Sequence, residues 1–500
     1  MTFAAFLGID LGTTGVRALV VDLDGRTLGE AAQEYPLHTP RSGWAEQDPR
    51  EVSDGAIACA RRALRKVGLR RRDRVAIGFS GTFHNVAPFG LDDEPRGRAL
   101  IWADTRATHE AAWIKEHADA SSLYRRTGCP VHPMYLPAKL RWLRANGLAA
   151  PRYRSIKEYV AFRFTGEWVC DLSVASGTGL LAMERRAWDD GALGLAEIDA
   201  AVLSPIVDTS AAIGTLTAAA ATALGVSADS VVVAGAGDGV LSSLGAGTIG
   251  LGQATVTIGT SGAVRLVTDA PRTDREGRTW CYYLAEGKWV VGAAINNGGI
   301  ALRWALEKLC RFPSHAYDGF IEGASEAPIG ATALFFLPFL TGERAPYWNA
   351  EARGVLFGLS IDHDHRHIAR AVMEGIGYRM RSIALAVDSV AGPIAEARAT
   401  GGYTRSPFWM QLAANVLNLP LRVPSIQEAS ALGAAELAMI GVGALPDLAA
   451  TERFVTASKP VAPEPAVAAR YAELFDEYMR LYWSATPHFS SLTAIRESTG

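Results

Sequence analysis

Apolar residues recur along this chain in short runs separated by helical stretches. AAFLGID (4–10), VRALVVD (16–22), RVAIGFS (74–80), ALIWAD (99–104) and VVVAGAG (231–237) predict buried strands. A second series, QATVTIG (253–259), KWVVGAA (288–294), ALFFLPF (333–339) and ARATGG (397–402), repeats the pattern. Asp48-Pro49 is a cap residue followed by proline at a first helical position, so a helix is predicted from there to about Val67. Further helices are predicted over 299–310, 364–390, 406–418 and 428–440. Strands alternating with helices give an α/β fold class.

One stretch comes back. LGIDLGTTGVRALV (7–20) is echoed by TIGTSGAVRLV (257–267). In both, a strand ends in Gly-Thr-Thr/Ser-Gly and another strand follows at once, which predicts a β-hairpin with a tight turn. Two such hairpins, one per half, imply two domains of related fold, 1–247 and 248–500, hinged at the Gly-rich stretch GAGTIGLG (245–252). The turn chemistry suits a phosphate chain. Gly12, Gly15, Gly259 and Gly262 let backbone N–H groups face an anion, and Thr13, Thr14, Thr260 and Ser261 add hydroxyl donors. Asp10, on the strand before the first turn, is placed to hold a hydrated Mg²⁺, and Arg17 to neutralise a phosphate.

Bulk properties narrow the class by exclusion. At 500 residues, 49% hydrophobic and 20% charged, the chain is long enough for two or three globular domains. A net charge of −3 gives no drive toward nucleic acid or an anionic membrane. The basic run RRALRKVGLRRRDR (61–74) lacks interleaved aromatics and reads as a solvated helix end. Five cysteines without metal-ligand spacing suit a reducing compartment. The longest apolar run, ATALFFLPFL, is too short to span a bilayer, and no basic segment precedes an apolar one at the start, so a cytoplasmic protein is expected. His363, His365 and His367 alternate as metal ligands do, but they precede a predicted helix and read as a solvated loop and helix start capped by Asp362 or Asp364.

The paired DLGTTG and GTSG resemble the phosphate clamp of the superfamily that contains actin, sugar kinases and heat-shock chaperone ATPases. GVLFGLSIDHDHRHIARAVME (354–374) is similar to the second signature of the FGGY carbohydrate kinase family. TGERAPYWN (341–349), WAEQDP (44–49) and GGYTRSPFWMQLAANVL (401–417) also resemble that family, and the likeness extends to about residue 485. It implies two ribonuclease-H-like, actin-like ATPase domains with a cleft between them. WADTRA (102–107), TGCPVHPM (127–134), IKEYV (156–160), DLSVASGTGLL (171–181), GDGVLSSLG (237–245) and INNGGIALRW (295–304) resemble the family's gluconate-phosphorylating members.

Chemistry and resemblance meet at Asp238. A carboxylate after an apolar strand lies where open α/β sheets bind ligands, and it can take the proton of a sugar hydroxyl; Asp238 also matches the family's catalytic base. By resemblance Phe83, His84, Asp104, Met134 and Gly239 contact substrate. A gluconate carboxylate has three candidate partners, His132, Lys139 and Arg106, between which the sequence does not choose. For ATP, the resemblance sets Thr13, Thr14, Gly15 and Arg17 on one side of the phosphates. Gly259, Thr260, Ser261, Gly299, Arg303, Gly402 and Ser406 stand on the other. The expected reaction is transfer of the γ-phosphoryl group of MgATP to a sugar acid. A ketopentose such as xylulose is the alternative acceptor, and a non-sugar ATPase of the superfamily the remote one. The resemblance also implies a homodimer; no nucleic-acid or membrane partner is expected.

Overall fold

The computed structural model describes residues 3–499. The first sheet is built from β1 (Ala5–Leu11), β2 (Gly15–Val21), β3 (Thr27–Glu34), β4 (Val75–Gly81), β5 (Ala212–Thr215) and β6 (Val231–Gly237), in the order β5-β6-β4-β1-β2-β3. The second is built from β7 (Gln253–Ile258), β8 (Gly262–Thr268), β9 (Trp280–Ala285), β10 (Lys288–Ile295), β11 (Glu396–Thr400) and β12 (Leu421–Arg422), in the order β9-β10-β8-β7-β11-β12. The same core appears twice. β1-β2-β3 and β7-β8-β10 are antiparallel meanders, and β4-β6 and β11-β12 extend β1 and β7 in parallel. The two echoed sequences are therefore corresponding hairpins of two ribonuclease-H-like lobes, the actin-like arrangement.

Helix α1 (Pro49–Val67) covers one face of the first sheet. Its start follows from local chemistry: Asp48 accepts the N–H of Arg50 at 2.8 Å and Pro49 occupies the first turn. Its last turn is basic, and Arg62 and Lys66 donate to the Ala32 and Glu30 carbonyls of edge strand β3. Helices α2 (Ile156–Thr165), α3 (Asp238–Leu244) and α4 (Gly299–Trp304) follow, then α5 (Tyr317–Ala324), α6 (His365–Ala391), α7 (Pro407–Leu417), α8 (Ala429–Gly441) and α9 (Pro465–Ala485). Asp364 caps α6 by accepting the N–H groups of Arg366 and His367, so the alternating histidines are a helix start. Among the described residues no group of three or more acidic, histidine or cysteine side chains is placed to hold a metal ion, and no helix is long and apolar enough to cross a membrane.

Three predicted elements are shorter than their apolar runs. ALIWAD forms a strand only at Ala99–Leu100, paired with Glu46–Gln47, because Asp104 folds back to accept the N–H of Ala45. ALFFLPF forms a strand only at Phe335–Leu337, since Pro338 carries no N–H. The helix over 299–310 passes into a wider turn at Ala305–Leu309, where Cys310 N–H reaches the Ala305 carbonyl.

Helix α8 departs from the division by sequence. It lies in the second half of the chain but packs on β1, β4 and α3 of the first lobe. Its run ASALGAAELAMIG presents small residues, so backbones approach closely. A Cβ at Gly8 would stand 1.8 Å from the Ala431 carbonyl oxygen, and one at Gly78 2.0 Å from that of Ala434. Leu432 and Leu437 are fully buried there, each contributing about 1.5–3 kcal/mol. In the middle of this contact sits Glu436, fully buried, with neither carboxylate oxygen hydrogen-bonded. Burial pushes its pKa up to about 8. Because the folded value lies above the ordinary 4.5, stability is fullest below pH 4.5 and is lost as pH rises through about 8. Glu436→Met is expected to raise the melting temperature at pH 8.5 and to raise it much less at pH 5, measured by differential scanning calorimetry; an equal gain at both values would remove the buried ionisation from the account.

Candidate active site

The site gathers at the carboxyl ends of β1, β4, β6, β7 and β11, where a parallel sheet opens its ligand crevice. The first hairpin tip closes through Gly12 N–H to the Gly15 carbonyl at 3.0 Å. Side chains brace it from behind: the Tyr35 hydroxyl donates to the Gly12 carbonyl at 2.6 Å, and Gln47 Nε2 donates to the carbonyls of Gly12 and Thr13 at 3.2 and 2.9 Å. With its carbonyls occupied, the tip is set as a donor surface. Trp102 Nε1 donates to Thr13 Oγ1 at 3.0 Å. Arg17 is half-exposed and ion-paired with Glu428 at 3.1 Å.

The second tip is docked on the start of α4. Gly298 N–H donates to the Thr260 carbonyl at 3.0 Å, and Gly299 N–H to the Gly259 carbonyl at 2.6 Å. Gly401, at φ +101°, lies so near β7 that a Cβ would stand 2.4 Å from the Ile258 carbonyl oxygen. A cavity of about 900 Å³ opens beside this tip. Gly259, Thr260, Gly299, Arg303, Gly402 and Ser406 line it, with Tyr317, Tyr403 and Phe408 as largely apolar walls. Ser261 is not among the lining residues. Ser406 Oγ also caps α7, accepting the N–H of Trp409 at 3.2 Å.

Asp238 is the first residue of α3, directly after β6. Its Oδ1 accepts the N–H of Gly239 at 2.6 Å, and its carbonyl accepts Ser430 Oγ of α8 at 3.2 Å. Burial, and secondarily the Asp10 carboxylate, push its pKa up to about 7, opposed by Arg265. Burial likewise raises Asp10, opposed by the 2.6 Å hydrogen bond from Ser80 and by Arg17. Two carboxylates in one electrostatic field, one on the first hairpin, fit the partial protein ligation that a hydrated Mg²⁺ takes beside phosphate oxygens.

Phe83 and His84 follow β4. The Phe83 ring is wedged against the backbone, where a Cβ at Gly237 would stand 1.9 Å from it and one at Gly177 2.3 Å. His84 Nδ1 pairs with the Gly177 carbonyl at 2.6 Å, and its Nε2 meets the Tyr282 hydroxyl at 3.5 Å. Burial, with Lys139, holds His84 neutral. Met134 is buried in the same cluster as Phe83, Tyr135 and Tyr282. Gly239 faces Arg265, whose Nε would lie 3.2 Å from a Cβ there.

Asp104 does not meet the expectation of a substrate contact. Its side chain has no exposed surface, and both oxygens are consumed by the Arg106 guanidinium at 2.6–2.9 Å and the N–H of Ala45. The three open candidates for a carboxylate partner are also occupied or neutral. Arg106 is held by Asp104 and Glu46 with its guanidinium 3.6 Å from the Trp44 ring centroid. Lys139 Nζ is fully buried and donates to the carbonyls of His84 and Ile101. Burial, then the Arg344 charge, push His132 down to about 3.

Three side chains at the site were not singled out from sequence. Trp102 reaches the first tip. Arg265 of β8 donates to Thr257 Oγ1 at 3.2 Å and leaves its buried Nε unpaired beside Asp238. The Arg344 guanidinium lies 5.1 Å from the Trp102 ring centroid. The second hairpin echo carries an arginine one position further from its tip than Arg17 is in the first, which was a readable signal for a charge near the tip. Nothing local marked the other two.

The comparisons agree with this geometry. The FGGY family of carbohydrate kinases matches as an N-terminal domain over residues 5–245 and a C-terminal domain over 254–442. Gluconokinases of Bacillus licheniformis and Bacillus subtilis are each 35% identical, covering 98% and 95% of both chains. A xylulose kinase of Bacillus subtilis is 26% identical over 98% of this chain and 99% of its own. Among solved structures, gluconate kinase and ligand-bound xylulose kinase, both from Lactobacillus acidophilus, each superpose with a TM-score of 0.92 at 32% identity, over 98% of this chain and 99% of theirs. With both lobes matched and the phosphate hairpins in corresponding places, this chain belongs to the FGGY family of carbohydrate kinases.

Proposed function

We propose that this kinase transfers the γ-phosphoryl group of MgATP to the primary hydroxyl of D-gluconate, giving 6-phosphogluconate. The observation that carries the reaction is Asp238, partly exposed at the end of β6, with a proton affinity near neutrality and electrostatic contact to both hairpins. Support for the acceptor is the 35% identity to two gluconokinases along nearly the whole chain.

ATP lies with its adenosine in the cavity beside Gly402 and Ser406 and its phosphates between the Thr13–Thr14 and Thr260–Ser261 tips. Asp10 would hold the water shell of a divalent ion bound with the nucleotide, and the ion would supply neutralisation of phosphate charge. Asp238 takes the hydroxyl proton as the sugar oxygen bonds to the γ-phosphorus and the bond to the bridging oxygen of ADP breaks. Arg265 stabilises the carboxylate form of Asp238. Most of the barrier is lowered by alignment and charge neutralisation, and closure of the lobes keeps water from intercepting the phosphoryl group.

Xylulose is the second reading, favoured by the equal superposition on the two Lactobacillus kinases. ADP release coupled to a dehydrogenase, run across gluconate, xylulose, ribulose and glycerol, decides it: gluconate is expected to give the highest kcat/KM, and a higher value for xylulose would overturn the assignment. Asp238→Ala is expected to lower kcat by about 10²–10⁴-fold with nucleotide affinity nearly unchanged; turnover within tenfold of the parent removes Asp238 from the base role. A base must be unprotonated, so kcat/KM for the sugar should fall as pH drops through about 7. A profile flat from pH 6 to 8 would contradict it.

A further inference from the structure

We propose that Arg344 is the carboxylate anchor of the acceptor site, reaching from the second lobe to select an anionic sugar. The inference rests on the sugar-acid reading above and names the residue that makes it.

Arg344 has no ion pair among the described residues. Its guanidinium makes one long hydrogen bond, from Nη2 to the Ile295 carbonyl at 3.3 Å, and its Nε is buried without a partner. A cation so placed is short of acceptors, and a carboxylate supplies them with charge-assisted, often bidentate geometry. The neighbouring acid does not fill the role. Glu343 is committed to Arg379 at 3.2 Å, and both are fully buried.

The loop is fixed before any ligand arrives. Arg379 Nη2 donates to the Ala345 carbonyl at 3.0 Å, Asn297 Nδ2 to the Gly342 carbonyl at 2.9 Å, and Glu343 Oε1 accepts the N–H of Arg344 at 2.8 Å. The guanidinium is thereby held near the Trp102 indole, which hydrogen-bonds the first phosphate tip. Its charge also acts on His84, His132, Tyr135 and Tyr282, and on Arg265, the arginine that opposes the rise in Asp238. Lys139 is fully buried against the His84 and Ile101 carbonyls, and Arg106 is forked onto Asp104 and Glu46, so both are held by the protein itself. Arg344 thus offers open donors near the first tip to an acceptor brought by a ligand.

The test compares gluconate with D-glucitol, the same carbon chain with an alcohol in place of the carboxylate. In Arg344→Met, kcat/KM for gluconate should fall about 10–100-fold, mostly through KM, the loss typical of a hydrogen-bonded charge pair. The KM for ATP and the weak turnover of glucitol should stay within threefold. Arg344→Lys should recover part of the gluconate loss. Removing an unpaired buried cation should not lower the melting temperature of the sugar-free protein, which separates the effect from misfolding. Equal losses for gluconate and glucitol would overturn the anchor while leaving the sugar-acid reading intact. A parent enzyme that prefers xylulose to gluconate would overturn both. A parent that prefers gluconate, with that preference kept in Arg344→Met, would overturn the anchor alone.

Discussion

Backbone-to-backbone contact between α8 and the first lobe is the constraint on which the arrangement depends. Four glycines permit it: Gly8 and Gly78 under the helix, Gly433 within it against the Leu241 carbonyl at 2.5 Å, and Gly245 against that of Ala429 at 1.9 Å, measured to the Cβ each lacks. The result is a layer in which β1, β4, α8 and α3 are packed backbone against backbone. β1 carries Asp10 and α3 carries Asp238, so the two coupled carboxylates are held by the same packing. An added methyl at Gly8 would force the helix out and shift both.

Charge pairing separates scaffold from site. Several buried ions away from the hairpins are paired: Arg370 with Glu374 and Tyr471, Lys157 with Asp171, Arg379 with Glu343, Arg106 with Asp104 and Glu46. Around Asp238 the pattern changes. Arg265 and Arg344 each keep a buried Nε with no acceptor, and the Asp10 carboxylate adds to burial in raising the proton affinity of Asp238. An uncompensated buried group costs stability, about 1–3 kcal/mol or more for a charge. Glu436 and Arg379 Nη1 also lack partners elsewhere, so an open polar atom points to a ligand only where, as here, it lies beside the hairpins.

Local chemistry was legible in the sequence, and tertiary partnership was not. The hairpins could be read because Gly-Thr-Thr-Gly leaves few other backbone geometries, and both form as expected. The start of α1 could be read from Asp48-Pro49. Asp104 was misjudged because its acidity was legible and its fate was not. The fork from Arg106, two residues on, consumes both oxygens, and only the fold brings Ala45 to the remaining lone pair. Trp102 and Arg344 meet across 242 positions of sequence, a proximity that no periodicity encodes. Helix α8 was placed correctly along the chain, but its periodicity says only that it is buried, not in which lobe.

Because α8 belongs to the first lobe while β12 and α9 belong to the second, the polypeptide passes between lobes three times: near 245–252, before α8 and after it. The latter two passages are zipped together. Leu421 and Val461 exchange backbone hydrogen bonds at 2.8 and 3.0 Å, and Ser425 N–H reaches the Thr456 carbonyl at 2.8 Å. A single tether swivels freely, whereas a two-stranded ribbon bends about one axis and resists torsion. The paired passages therefore restrain twisting of one lobe against the other more than bending about the ribbon's own axis.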